Sequence, residues 1–277
     1  MMYVTQVASQ FGRNTASLVL LPVLLAGLAF AGANSPPPDA QRLNDLLSRT
    51  ADRTSVFLDQ FSDVKCTEQV RQEKLGKDDK VDLKEDSTYD YLVILTNSGG
   101  ELNLSESRIP VRAAKRDRKN TSMLLSNGFA TLFLVFHPYY AEAFKFALAG
   151  EDVVGGKVLE KVSFEHVPGM KSPAALALRG REYPLELTGT AWIDPQTGSI
   201  AKIEAGIADT LQDVGLKALS SEIDFAPVTF SDSKQVYWFP AQARVEVETP
   251  RQHWRNLHQF TAYKKFSVST EEQVINK

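Results

Sequence analysis

Two periodicities divide the chain. Leu43, Leu46, Leu47, Thr50, Thr54, Phe57, Leu58 and Phe61 recur at the i, i+3, i+4, i+7 spacing of one helical face. Arg42, Asp45, Arg49, Asp52, Arg53 and Asp59 fall mostly on the other side. The spacing predicts one amphipathic helix over residues 40–61. Asp39, directly after Pro36-Pro37-Pro38, is its expected N-cap, because a carboxylate accepts the free amide hydrogens of a first helical turn. A helix with such a stripe must lay it on an apolar surface.

Downstream the period becomes two. Ala241, Ala243, Val245 and Val247 alternate with Gln242, Arg244, Glu246 and Glu248, as in a strand with one wet face. Phe260, Ala262, Phe266 and Val268 repeat the pattern, with Lys264 interrupting it. Leu219, Ser221, Ile223 and Phe225 share one parity, and Ala226, Val228 and Phe230 continue on the other, which predicts a bulge or bend at Ala226-Pro227. Asp194-Pro195-Gln196-Thr197-Gly198 joins the strands 188–193 and 200–207, Pro presetting φ and Gly supplying a left-handed residue. Gly99-Gly100 joins 89–96 to 102–104, and Gly155-Gly156 joins 144–149 to 158–164. Hairpins without intervening helices predict an antiparallel sheet and an α+β class. Residues 89–95 are apolar on both parities, so that strand is expected to be covered on both faces. The Pro- and Gly-rich stretch 168–184 reads as a long surface loop, leaving one domain over 34–277.

The segment ahead of the helix is an address. Arg13 is the only charged residue before Asp39, and the apolar run 16–30 that follows it is short of the roughly 20 residues that span a bilayer. Ala29-Phe30-Ala31 and Ala31-Gly32-Ala33 offer small-x-small cleavage sites. Residues 1–33 are therefore expected to be a cleaved secretory signal, with an uncleaved anchor as the alternative, and the mature protein to be periplasmic or secreted. No Cys stands at the end of the apolar run, so a lipid-modified N-terminus is not expected.

Composition changes the picture mainly by exclusion. With 277 residues, 43% apolar and 23% charged, the chain fits a globular protein. A net charge of −3 gives no global reason to bind nucleic acid. One cysteine excludes an internal disulfide, and Cys66 is expected as a small core residue on a strand. His137, His166, His253 and His258 show no metal-ligand spacing, and H-E-x-x-H, G-x-S-x-G, Walker A and G-x-G-x-x-G motifs are absent. The expectation is a protein that is not an enzyme and holds no cofactor and no metal.

Two features remain. Phe129, Phe133, Phe136, Tyr139, Tyr140, Phe144 and Phe146 place seven aromatics within 18 residues, about four times the chain average of 9%. Residues 129–136, between Asn127-Gly128 and Pro138, form an apolar segment of one or two helical turns that includes Leu132. These side chains either build core, as aromatics usually do, or line and lid an apolar cavity between helix and sheet. Just before them runs a basic stretch: Arg108, Arg112, Lys115, Arg116, Arg118 and Lys119. It is either a solvated loop or, from Arg112 onward, a contact for anionic lipid headgroups or an acidic partner, at about 1 kcal/mol per basic residue at a charged membrane.

The long helix after a signal segment, the 155–156 hairpin, the hairpin Trp192-Ile193-Asp194-Pro195-Gln196-Thr197-Gly198-Ser199-Ile200 and the short apolar helical segment together resemble the LolA-like superfamily of periplasmic lipoprotein carriers and RseB-type envelope sensors. The resemblance implies a strongly curved antiparallel sheet, a half-open β-barrel, with helices over its concave face. It also implies a cavity for acyl chains, hence a lipid or lipoprotein ligand, or alternatively an envelope protein-interaction or stress-sensor module. An apolar groove needs no polar anchor for such a ligand: burying one 16-carbon chain is worth on the order of 12 kcal/mol at about 0.8 kcal/mol per CH₂.

Overall fold

The predicted helix forms as α1, Pro38–Ser62. Asp39 lies inside its first turn rather than at the N-cap, because the helix begins one residue earlier, at Pro38. Pro is well suited to a first turn, where its missing N–H costs nothing, and the Asp39 carboxylate there still complements the helix dipole. Leu46, Thr50, Thr54, Phe57, Leu58 and Phe61 are the buried positions, the stripe read from the sequence.

In the computed structural model, the described residues are 38–98, 101–111, 132–178, 181–212, 215–231 and 234–265. After α1 come β1 (Val64–Leu75), β2 (Val81–Ser98), β3 (Glu101–Pro110), β4 (Phe144–Val154), β5 (Lys157–His166), β6 (Ala175–Leu178), β7 (Arg181–Pro184), β8 (Leu187–Ile193), β9 (Ile200–Ile207), β10 (Ala218–Thr229), β11 (Val236–Glu248) and β12 (His253–Lys265). Ten of these strands form one antiparallel sheet in the order β3-β2-β1-β12-β11-β10-β9-β8-β5-β4. The sheet is open, with β3 and β4 as its edges. All three predicted hairpins are present: Ser98 pairs Glu101, Val154 pairs Lys157, and Ile193 pairs Ile200.

Three expectations are corrected. Residues 168–184 are not only loop, since β6 and β7 pair there as a separate two-stranded hairpin. The strand 89–95 is covered on one face: Tyr91 and Val93 are buried, but Ile94 is 46% exposed. Its apolar outer side chain is tolerated because an isolated exposed apolar residue is ordinary on a protein surface. The bulge expected at Ala226-Pro227 lies earlier in β10, at a register shift between Asp224 and Phe225. The extra residue lies opposite, since Asp224 pairs Gln242 while Phe225 pairs Pro240, which leaves Ala241 unpaired. Pro240 has no N–H to give the ladder, so a bulge beside it costs little.

The aromatic segment lies in the connection between the two edge strands. β3 and β4 follow one another in the chain but occupy opposite edges, up to about 43 Å apart along the sheet at ~4.8 Å per strand. The described part of the connection, residues 132–143, packs on the face that α1 also covers. Leu132, Phe133, Leu134, Val135 and Phe136 join Phe57, Phe61, Phe164, Ile203, Ile223 and Phe239 in a single core.

Candidate functional site

The aromatic side chains are packed against one another. The Phe133 ring stacks on Phe57 with centroids 4.1 Å apart and meets Phe225 edge-on at 4.5 Å. Phe136, at the end of the 3-10 turn Leu134–Phe136, lies 5.4 Å from Phe146 and edge-on to Phe164 at 5.9 Å, and Phe144 is edge-on to Phe164 at 6.0 Å. Of the candidate ligand-contacting residues, Leu132, Phe133, Phe136, Tyr140 and Phe144 are buried and Phe146 is half-buried. They fall into two groups, Phe133 against α1 and β10, and Phe136, Phe144 and Phe146 against β5. Tyr139 stands apart: it is 38% exposed, and its hydroxyl accepts a hydrogen bond from Lys171 Nζ at 2.5 Å. Phe129 lies outside the described residues. Between α1 and the sheet, the described aromatics thus form solid packing.

Beside this packing runs a cleft of about 150 Å³, between α1, the β8–β9 turn and the start of β11. Phe57, Phe133, Tyr237 and Trp238 give it apolar walls, and Arg53, Thr54 and Lys157 add polar ones. Its edge is made by the turn pressing onto the helix. Gly198 has φ +71°, and a Cβ there would sit 2.7 Å from the Arg49 carbonyl carbon. Only glycine permits both the left-handed backbone and that approach. Two hydrogen bonds close the contact: Arg49 Nη2 donates to the Pro195 carbonyl at 3.1 Å and Arg53 Nε to the Thr197 carbonyl at 3.3 Å. Arg42 extends the same side of the helix to the sheet edge, donating to Glu151 at 2.9 Å and also contacting the buried Glu160. Arg42, Arg49 and Arg53 are spaced by seven and four, a helical stripe visible in the sequence but read there only as the side away from the apolar face.

A second polar group lies inside the core face near β3. Glu68 on β1 is fully buried and accepts from Arg108 Nε at 2.5 Å and Nη2 at 2.9 Å, with His258 Nδ1 at 2.8 Å. Arg108 Nη1 also donates to Glu106 at 3.1 Å, and its guanidinium lies 5.0 Å from the Tyr91 ring centroid. Burial alone would push the Glu68 carboxyl up, but the hydrogen bonds from His258 and Arg108 hold it below the usual carboxylate range. Arg108 is therefore corrected: its side chain is 8% exposed and belongs to this network, not to a solvated basic loop. Alternation explains it, since β3 turns the side chain inward onto β1. The other basic candidates, Arg112, Lys115, Arg116, Arg118 and Lys119, lie outside the described residues.

Cys66 is buried on β1 as expected, and burial pushes its thiol up to about 12. Native protein at mildly alkaline pH should therefore leave a maleimide unreacted, and denaturant should expose one labelling equivalent. Labelling at the unfolded rate without denaturant would contradict the burial. Among the described residues there is no cluster of metal-binding side chains, and no helix is long and apolar enough to cross a membrane.

On the opposite, wet face lies a polar trough of about 790 Å³. Register aligns two rows on this face across seven strands: Trp192, Lys202, Asp224, Gln242, Gln259, Gln69 and Thr88 in one, and Thr190, Glu204, Glu222, Arg244, Leu257, Arg71 and Asp86 in the next; the trough occupies their β10-to-β2 part. Charges on this face are largely paired with one another, Arg71 with Asp86 at 2.8 Å, Arg244 with Glu246 at 3.0 Å, and Lys202 with Glu204 at 2.7 Å and Glu222 at 2.5 Å.

No protein-family model and no curated protein matches the chain. Among solved structures, it is similar to a DUF1329 family protein from Desulfovibrio piger, at 11% identity and TM-score 0.42 over 83% of this chain and 99% of that one. It is also similar to a LolA superfamily protein from Nitrosomonas europaea, at 7% identity and TM-score 0.37 over 82% of this chain and 97% of that one. At these identities and scores the likeness adds no weight to a function, and the architecture rests on the strands and helix described above.

Proposed function

We propose that the protein is a non-enzymatic periplasmic binding or carrier protein, and that it takes the acyl chain of a lipid or lipoprotein between α1 and the apolar face of the curved sheet. One observation carries this reading: an apolar interface, bounded by a cleft that reaches the stacked Phe57 and Phe133, is closed on that side by exposed Arg-to-carbonyl hydrogen bonds. At about 150 Å³ the cleft is smaller than the roughly 300–1,000 Å³ of ordinary ligand sites, so an acyl chain enters only by displacing α1 or the 134–136 turn. The exchange is feasible energetically. Water can replace the exposed arginine bonds, and ligand methylenes take up the apolar surface that the displaced rings had covered.

The experiment is native mass spectrometry on protein purified without detergent, followed by titration with hexadecanoate. A co-purifying acyl-bearing mass, or a one-to-one hexadecanoate complex, is the expected result. Protein that emerges clean and stays clean after titration sinks the carrier reading.

The polar trough favours a second reading, an envelope interaction or sensor module with no transported ligand. Reversing charge at Glu222 and Asp224 separates the two readings. Loss of a protein partner with acyl binding intact supports the module, and loss of neither removes the trough from the account.

A further inference from the structure

The cleft beside α1 has one feature that packing does not explain. Thr54 is 1% exposed and lines the cleft, yet its hydroxyl has no hydrogen-bond partner among the described residues. Hydroxyls inside a helix usually donate to the carbonyl four residues back. Its neighbours do so: Thr50 donates to Leu46 at 2.9 Å and Ser55 to Ala51 at 3.1 Å. A buried hydroxyl left without a partner is destabilising, so Thr54 carries an unused donor in the wall of this cleft.

The rest of the cleft says what would use it. Arg53 and Lys157 stand on its walls against one carboxylate among the described residues, Asp194. That carboxylate is already engaged, accepting from the backbone amides of Gln196 at 2.8 Å and Thr197 at 3.3 Å, with Lys157 Nζ no nearer than 4.0 Å. Lys157 is 61% exposed on its side chain and lies 5.6 Å from the Trp238 ring centroid. Two cations and an idle hydroxyl beside Phe57, Phe133 and Tyr237 match a group that is anionic at one end and apolar at the other.

We infer that this cleft seats the anionic head of the ligand, a carboxylate or phosphate oxyacid, with Arg53 and Lys157 as its counter-charges and the Thr54 hydroxyl as a donor. The inference rests on the acyl-binding reading and goes further by fixing the ligand class as an anionic amphiphile and its polarity within the fold. The volume suits the assignment: about 150 Å³ admits a head and its first methylenes, and the remaining chain continues into the aromatic interface.

The test compares dodecanoate, dodecyl phosphate, dodecanol and inorganic phosphate by calorimetry on the full chain. Dodecanoate and dodecyl phosphate should bind at least about tenfold more tightly than dodecanol, as expected for hydrogen bonds to a charged group. The double variant Arg53→Gln, Lys157→Gln should abolish the preference, dodecanoate binding no more tightly than dodecanol measured on the same variant. Thr54→Val should weaken both anions several-fold, whereas Thr54→Ser restores them, which a purely structural role would not produce. Equal binding of dodecanoate and dodecanol by the unmodified chain overturns the inference and leaves acyl binding standing. Binding of neither overturns both readings. Inorganic phosphate binding as tightly as dodecyl phosphate also overturns the inference, because the site then reads no chain.

Discussion

Arg108→Met should lower the unfolding free energy by about 3–5 kcal/mol, the range for removing one partner of a buried ion pair. Methionine keeps much of the side-chain volume, so the loss isolates charge from packing. Glu68, fully buried, then loses its bidentate partner, and Glu106, 5% exposed on its side chain, loses the same cation. The pH dependence gives a second signature. In the unmodified protein the Glu68 carboxyl is held below its ordinary value, so its contribution is complete above the unfolded carboxylate value and is lost as pH falls through the lower, folded one. Without Arg108, burial dominates and the carboxyl is pushed up, so acid protonates it and relieves the variant. The gap between variant and parent should therefore be widest near neutrality and narrow in acid. Urea denaturation at a series of pH values measures this; a pH-independent gap would mean that the network is held by packing alone.

Phe133→Ala carries the second large effect, a loss of about 3–5 kcal/mol, typical of deleting a buried phenylalanine. The ring is 4% exposed and lies between Phe57 and Phe225, so few neighbours can collapse into its place. The same vacancy makes the variant informative about function. If acyl chains enter this interface, hexadecanoate should raise the variant's melting temperature more than the parent's, because the chain no longer has to displace a ring. Linkage gives about 2.7 kcal/mol of recovery at a ligand concentration of 100 Kd. Equal shifts in both proteins would place the chain elsewhere.

The sequence made the scaffold legible wherever a local rule was enough. The α1 stripe, the 194–198 turn, the Gly155-Gly156 hairpin and the burial of Cys66 follow from periodicity and turn chemistry alone. What it could not show depends on pairing across the chain. Arg108 reads as the first of a basic run until register sets β3 beside β2 and its side chain reaches Glu68, 40 residues away. The β6–β7 hairpin is hidden because four-residue strands between prolines and glycines carry too little alternation to stand out from a loop. Arg42, Arg49 and Arg53 show their spacing in the sequence but not their acceptors, since Glu151, Pro195 and Thr197 lie more than 100 residues downstream. The aromatic cluster was legible as apolar, while its division between Phe133 under α1 and Phe136 against β5 needed the packing of residues 132–143 on the face that α1 covers.

That sheet order also governs assembly. β1, the first strand made, lies between β2 and β12, the last. Until β12 is available, the nascent sheet has two raw borders beyond its final edges, on β1 and on β11, and the register from Val64 to Leu75 is fixed on one side only. Completion is thus a long-range event joining the two ends of the chain. Any truncation that removes residues 253–265 should cost the whole ladder rather than its final rung.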